Sequence, residues 1–157
     1  MTRPPKVSPF LWVHENAMEA VELYVSLLPQ SKITDVETLG GTTTVISFEL
    51  AGHPYTVMEH PGEHRLNDAF SIAVRVDGQA EIDRLWATLS EGGREIACGW
   101  LTDRFGVTWQ ISPQQMDDMR RTGTPAQAQA VVEAMMGMVK FDVAALEAAF
   151  HAAEEEV

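Results

Sequence analysis

A strand, an amphipathic helix and three further strands occur twice along this chain at a near-constant spacing. Tyr24-x-x-Leu27 recurs as Trp86-x-x-Leu89 at an offset of 62 residues, while Leu11 and Val13 recur as Val74 and Val76 at 63. A one-residue difference in the strand-to-helix turn accounts for the slip. Neither copy of such a repeat buries its sheet alone, so the copies are expected to pair. The prediction is an α+β fold of duplicated βαβββ modules, forming a curved, mostly antiparallel sheet around a cleft. The modules span 7–60 and 69–113 of a single domain, and C-terminal helices occupy 114–157.

In the first copy, Val7 to Val13 reads as a strand, with Leu11 and Val13 on one side and Ser8, Phe10 and Trp12 on the other. Asn16 stands at a helix N-cap, Glu19 completes a capping box, and Ala17 to Leu28 carries an apolar stripe of Ala20, Leu23, Tyr24 and Leu27. Lys32 to Leu39, Thr42 to Leu50 and His53 to Glu59 then read as an antiparallel meander, broken at Gly40-Gly41 and Ala51-Gly52. The second copy runs from a strand over Phe70 to Val76, through Asp77-Gly78, into a helix from Gln79 to Leu89 stopped by Gly92-Gly93. After Pro113 the period turns helical. Helices are predicted from Gln114 to Arg121, from Pro125 to about Val139 behind Thr124, and from Asp142 into Glu154-Glu155-Glu156. Val132, Met135, Met136 and Val139 form a stripe read as packing against the sheet or a dimer mate, and Val143, Leu146 and Phe150 form another.

The stretch from Cys98 to Pro113 carries the densest pattern. Trp100 and Leu101 end one strand, Asp103-Arg104-Phe105-Gly106 supplies a turn with Asp103 bonding turn amides, and Val107, Trp109 and Ile111 alternate with Thr108, Gln110 and Ser112. The apolar set should pack under a helix, leaving Thr108 and Gln110 on the opposite, concave or solvated side. With Phe10, Trp12, Ser71 and Ala73 they are the expected lining of the cleft, and His64 and Trp100 stand near its rim. This is an aromatic surface with a few polar groups, suited to a small, flat, partly apolar ligand that Gln110, Ser71 and His64 orient. Arg104 could steer an anionic ligand if the turn overhangs the cleft. Cys98 reads as a buried thiol at a strand end.

Charge narrows the partners. Eleven lysines and arginines against 23 aspartates and glutamates leave −12, with no basic cluster, which excludes phosphate backbones and anionic membranes. One cysteine, no apolar leader behind Met1-Thr-Arg-Pro-Pro-Lys and no membrane-length apolar run predict a cytoplasmic protein with Cys98 reduced.

The duplicated pattern resembles the vicinal oxygen chelate superfamily of glyoxalase I, the extradiol dioxygenases and the bleomycin and fosfomycin resistance proteins. Within it the chain resembles the PhnB-like family, often labelled 3-demethylubiquinone-9 3-methyltransferase. The resemblance rests on Pro9-Phe-Leu-Trp-Val13, Glu19 to Pro29, His64-x-x-Asn67-x-Ala69-x-Ser71, Cys98 to Pro113, and the tail Met138-Val-Lys-Phe-Asp142 with Ala144 to Ala148. Superfamily enzymes hold a divalent metal with one His or Glu from each of four strand positions. By strand register those positions fall on Ser8, Met58 or Glu59, Ser71 and Gln110, of which only Glu59 is a good ligand, so no metal is expected. The alternative is a divalent metal held by Glu59, His60, His64 and Gln110 in a lyase or dioxygenase. His14, His53 and His151 have no acidic or cysteine company that points to a ligand role. Metal-free members of the superfamily sequester a ligand, and dimers are common among them. No glycine-rich loop stands between a strand and a helix to cradle S-adenosylmethionine, so methyl transfer has no support in the sequence.

Overall fold

The computed structural model describes residues 3–154, and the chain divides into two compact units that meet in sequence between Leu66 and Asn67. Each unit carries one repeat. In the first, β1 (Phe10–Val13), α1 (Ala17–Leu27), β2 (Lys32–Leu39), β3 (Thr43–Leu50) and β4 (His53–Glu59) give a sheet in the order β1-β4-β3-β2. In the second, β5 (Ile72–Val76), α2 (Gln79–Ser90), β6 (Arg94–Glu95), β7 (Trp100–Thr102) and β8 (Thr108–Pro113) give β5-β8-β7-β6. In both, the first strand runs parallel to the last and the other neighbours pair antiparallel. The duplicated βαβββ architecture of the sequence is therefore present.

Each sheet buries one face under its own helix. In the first unit α1 buries Ala17, Ala20, Val21, Tyr24 and Leu27, a helical spacing, over the strand residues Leu11, Val13, Ile46, Phe48, Leu50 and Val57. In the second, Ile82, Leu85, Trp86 and Leu89 cover Ile72, Leu101, Trp109 and Ile111. Trp86 satisfies its indole by donating to Glu95 Oε1 at 2.7 Å.

Several local features differ from the sequence reading. The strand β1 begins at Phe10, not Val7, and β5 at Ile72, not Phe70. The Asn16–Glu19 capping box does not form. Asn16 is left-handed at φ 62 and its side chain makes no cap bond; instead the Ala17 amide donates to Glu59 Oε2 at 2.9 Å, from the end of β4. This carboxylate also complements the helix dipole. Glu59→Ala is expected to cost about 1 kcal/mol, read as a lower urea midpoint.

Beyond β8 the chain forms α3 (Gln114–Thr122), α4 (Pro125–Met136) and α5 (Val143–Ala152). Thr124 and Gln127 make a reciprocal capping box on α4, and Asp142 caps α5. The stripe expected from Val132 to Val139 is not buried: Met136 is 63% and Val139 46% exposed. Gly137 ends the helix, which throws Val139 out of phase, and Val131 and Leu146 supply the buried contacts instead. The last helix, expected to run into Glu154, ends at Ala152, and Glu155 and Glu156 lie outside the described residues.

The segment joining α4 to α5 is stitched to α2 and to the turn before β7. The amides of Cys98 and Gly99 donate to the carbonyls of Met138 and Val139 at 2.8 and 2.7 Å. Gln79, on α2, donates to the Phe141 carbonyl at 3.0 Å and accepts from the Val143 amide at 2.8 Å. On α3, Asp117 accepts from Arg75 Nε of β5 at 2.7 Å and also from Arg120. Partial burial raises the Asp117 pKa, but the hydrogen bonds from Arg120 and Arg75 outweigh it and hold the carboxyl below its usual range. A depressed folded pKa stabilises above the unfolded value, and that stability is lost as pH falls through the folded pKa. Asp117→Asn is therefore expected to flatten the acid limb of a stability profile measured from neutral pH downwards.

Candidate functional site

In the second unit the side of β8 away from α2 carries Gln110 and Ser112, both half-buried. The pairing register sets two rows across this face. Ala73, Gln110 and Trp100 stand side by side in one, and Thr108, Thr102 and Arg94 in the next, with Ser71 just before β5. Gln110 donates from Nε2 to Ser71 Oγ at 2.8 Å. Of the residues expected from sequence, Ser71, Trp100, Thr108 and Gln110 thus share one face. Thr108, however, is only 1% exposed. It does not line a solvated surface, because its hydroxyl is turned to Asp68.

Sequence reasoning missed Asp68 and Arg94. Asp68 Oδ1 accepts from Thr108 Oγ1 at 2.9 Å and Thr102 Oγ1 at 3.2 Å, and Oδ2 accepts from Arg94 Nη2 at 3.2 Å. These bonds, Thr108 first and Arg94 next, lower the Asp68 pKa, so the network is anionic at its centre at neutral pH. The only cue in the sequence was a charge one residue after Asn67, and no periodicity places such a residue.

The face is held by its turn. Asp103, 4% exposed, accepts from the amides of Phe105 at 2.9 Å and Val107 at 3.0 Å through Oδ1, and from Trp109 Nε1 at 2.9 Å through Oδ2. Gly106 takes φ 89, as the turn requires. Arg104 lies over the Phe105 ring, 4.5 Å from its centre. Cys98 is not a buried strand-end thiol: it is half-buried, in a left-handed turn at φ 57, with Sγ 3.8 Å from Met136 Sδ.

In the first unit Trp12 and Phe10 occupy the open side of β1. Phe10 is 59% exposed. Trp12 donates from Nε1 to the His60 carbonyl at 2.6 Å, and the His64 ring lies 4.8 Å from its own, centre to centre. A Cβ on Gly62 would come within 2.5 Å of the indole, so the loop passes directly over the ring. His14 Nε2 donates to the His64 carbonyl at 2.6 Å, and Arg65 Nη1 reaches the His14 ring at 2.9 Å.

The alternative metal set is not assembled. Glu59 lies on the α1 side of β4, where it caps the helix. His60 Nδ1 is engaged with Thr43 Oγ1 at 2.8 Å, His64 packs on Trp12, and Gln110 bonds Ser71. Among the described residues no three His, Cys, Asp or Glu side chains come together as a metal site. Register also corrects the fourth-strand position. Leu11 pairs with Val57 as its repeat mate Val74 pairs with Ile111, so the counterpart of Gln110 is Thr56, not Met58 or Glu59. Thr56 Oγ1 is bonded to Ser8 Oγ at 3.1 Å, as Gln110 is to Ser71. Neither strand-to-helix turn, His14-Glu15-Asn16 or Asp77-Gly78, is a glycine-rich cradle for S-adenosylmethionine.

Two βαβββ units with parallel first-to-last strand pairing define a protein of the vicinal oxygen chelate superfamily. The chain belongs to the 3-demethylubiquinone-9 3-methyltransferase family, whose profile matches residues 5–112. A PhnB protein from Bacillus cereus is 26% identical, with a TM-score of 0.64 over 69% of this chain and 99% of that one. A Pseudomonas aeruginosa protein is 21% identical, with a TM-score of 0.59 over 70% and 98%. A mutant of the fosfomycin resistance protein FosX of Listeria monocytogenes, complexed with Mn(II) and 1S,2S-dihydroxypropylphosphonic acid, is 12% identical, with a TM-score of 0.53 over 71% and 94%. No curated protein matches the sequence. The profile match ends inside β8, and α3 to α5 lie beyond it. Among the described residues no helix is long and apolar enough to cross a membrane.

Proposed function

We propose that the chain binds a small molecule without a metal ion, as a cytoplasmic homodimer of PhnB-like type. One observation supports the metal-free part above others. The positions that resemble the superfamily's metal ligands carry Ser8, Thr56, Ser71 and Gln110, and each pair is closed by its own hydrogen bond. Neutral hydroxyls and an amide are poor donors for zinc, manganese or iron, which favour His and carboxylate ligands. What the second face offers is an amide next to an indole, Gln110 beside Trp100 in register. That pairing suits a flat ligand with one hydrogen-bonding edge. Ser71 and Gln110 orient it, Trp100 stacks on it, and Thr108 acts by anchoring Asp68. In the first unit, Trp12 and His64 offer an aromatic surface of their own. Exposed Phe10, Phe70 and Met136 favour burial against a second copy.

Elemental analysis of the purified protein after dialysis against a weak chelator tests the metal question. Less than stoichiometric metal is expected. Near-stoichiometric retained zinc, manganese, nickel or iron would overturn the reading in favour of a metal-dependent lyase or dioxygenase. A thermal-shift screen of small aromatic and dicarbonyl compounds should then yield a stabilising ligand whose effect survives chelator. Its affinity should fall by about tenfold in Gln110→Ala, the loss of one hydrogen bond. Saturable S-adenosylmethionine binding would instead reinstate methyl transfer.

A further inference from the structure

We propose that the C-terminal extension adds a second binding site to the family fold, an arginine-lined depression that takes a small metabolite through an oxyanion group, phosphate or dicarboxylate. It goes beyond the ligand face around Gln110 and does not depend on it. The depression has a volume of about 500 Å³ and is lined by Arg75, Gln114, Asp117, Arg120 and Arg121. Four of these five residues lie on α3, which begins just past the end of the family match at residue 112.

The charge is out of character for the chain. A protein of net charge −12 with only 11 lysines and arginines places three of them on one depression, against a single lining carboxylate. Like charges so gathered repel one another unless something holds them, and Asp117 does. With its side chain 17% exposed, it accepts from Arg75 Nε through Oδ2 and from Arg120 Nη2 through Oδ1. Asp118 holds Arg121 by Nη2 at 2.6 Å. These bonds use one nitrogen of each guanidinium. Both Nη atoms of Arg75, and Nε and Nη1 of Arg120 and Arg121, have no protein partner among the described residues.

A guanidinium fixed at one edge and open at another is preorganised for bidentate contact with a phosphate or carboxylate. Three of them against two carboxylates, Asp117 and Asp118, leave the site net positive, which suits an anionic group. The volume exceeds that of inorganic phosphate, leaving room for the body of a metabolite, and the Gln114 amide adds a neutral hydrogen-bonding group.

Calorimetric titration of the full chain with inorganic pyrophosphate, and separately with succinate, at constant ionic strength tests the site. Saturable one-to-one binding is expected for at least one of them, and which one identifies the oxyanion class. Arg75→Gln and Arg121→Gln should each weaken it by tenfold or more. Arg84→Gln, which removes an exposed ion pair on α2, should leave it unchanged. Circular dichroism confirms that each variant is folded. Absence of saturable binding of both anions in the millimolar range would overturn the proposal. So would affinity unaltered by Arg75→Gln and Arg121→Gln, or an equal loss in Arg84→Gln, which would mark diffuse charge attraction.

Discussion

Asp103→Ala is expected to lower the unfolding free energy by about 3 kcal/mol, a large effect for a single turn residue. The carboxylate receives two backbone amides and one indole N–H, and two of those donors belong to Val107 and Trp109, which are 3% and 1% exposed. Truncation leaves these donors inside the protein with nothing to replace the oxygens. Each buried donor so orphaned costs about 1–3 kcal/mol. The total falls short of their sum because water can reach the half-buried Phe105 amide, and because the Asp103 amide keeps its bond to the Val107 carbonyl at 2.8 Å. Asp103→Asn should cost less, since Oδ1 can still serve the two turn amides while the amide nitrogen faces Trp109 Nε1 donor to donor. Urea titrations followed by tryptophan fluorescence separate the two variants. A loss under about 1 kcal/mol in Asp103→Ala would mean that the hairpin does not depend on these bonds. The same substitution should weaken ligand binding, because the turn sets the register that puts Trp100 beside Gln110.

The parts of this fold legible in sequence are those fixed by local period. The alternation of Val107, Trp109 and Ile111 with Thr108 and Gln110 needs only the pleat of one strand. The repeat was visible in Leu11, Val13 and their counterparts because each copy keeps strand and helix in the same phase. What escaped depended on distant chain. The cap of α1 comes from Glu59, more than 40 residues from the helix start, and no local box could predict it. Thr108 looked solvated by alternation but is covered by Asp68. Thr56 was missed as the mate of Gln110 because the repeat changes length within its meander. The strands β6 and β7 have 2 and 3 residues where β2 and β3 have 8 each. The offset read at the start of the copies therefore does not carry to their last strands, and only the pairing of β1 with β4 and β5 with β8 restores it.

Gly99→Ala is expected to destabilise the protein by about 2–4 kcal/mol and to loosen the C-terminal extension from the second sheet. Gly99 sits at φ 78, where an L side chain is strained, and its added Cβ would meet the Phe141 ring, with Cδ2 at 2.8 Å, and the Ile111 carbonyl at 2.9 Å. Phe141 is 2% exposed and cannot simply swing away. The carbonyl belongs to β8, one residue from Gln110, so relief by backbone movement would disturb the Gln110 face. The amide of Gly99 also carries the 2.7 Å bond to Val139, and its carbonyl accepts from the Ile111 amide at 2.8 Å. A shift at this point therefore loosens the 138–141 segment and the β7–β8 pairing together. Gly137→Ala is the contrasting case. That residue has negative φ, and its added Cβ would meet only the Ala134 carbonyl at 3.7 Å, so a change within about 0.5 kcal/mol is expected. Proteolysis under native conditions should cut Gly99→Ala between α4 and α5 faster than the wild-type chain. In a Phe141→Ala background the Gly99→Ala cost should shrink, because the ring that crowds the new methyl is gone. An undiminished cost there would assign the effect to backbone strain alone and remove Phe141 as the link between the extension and the Gln110 face.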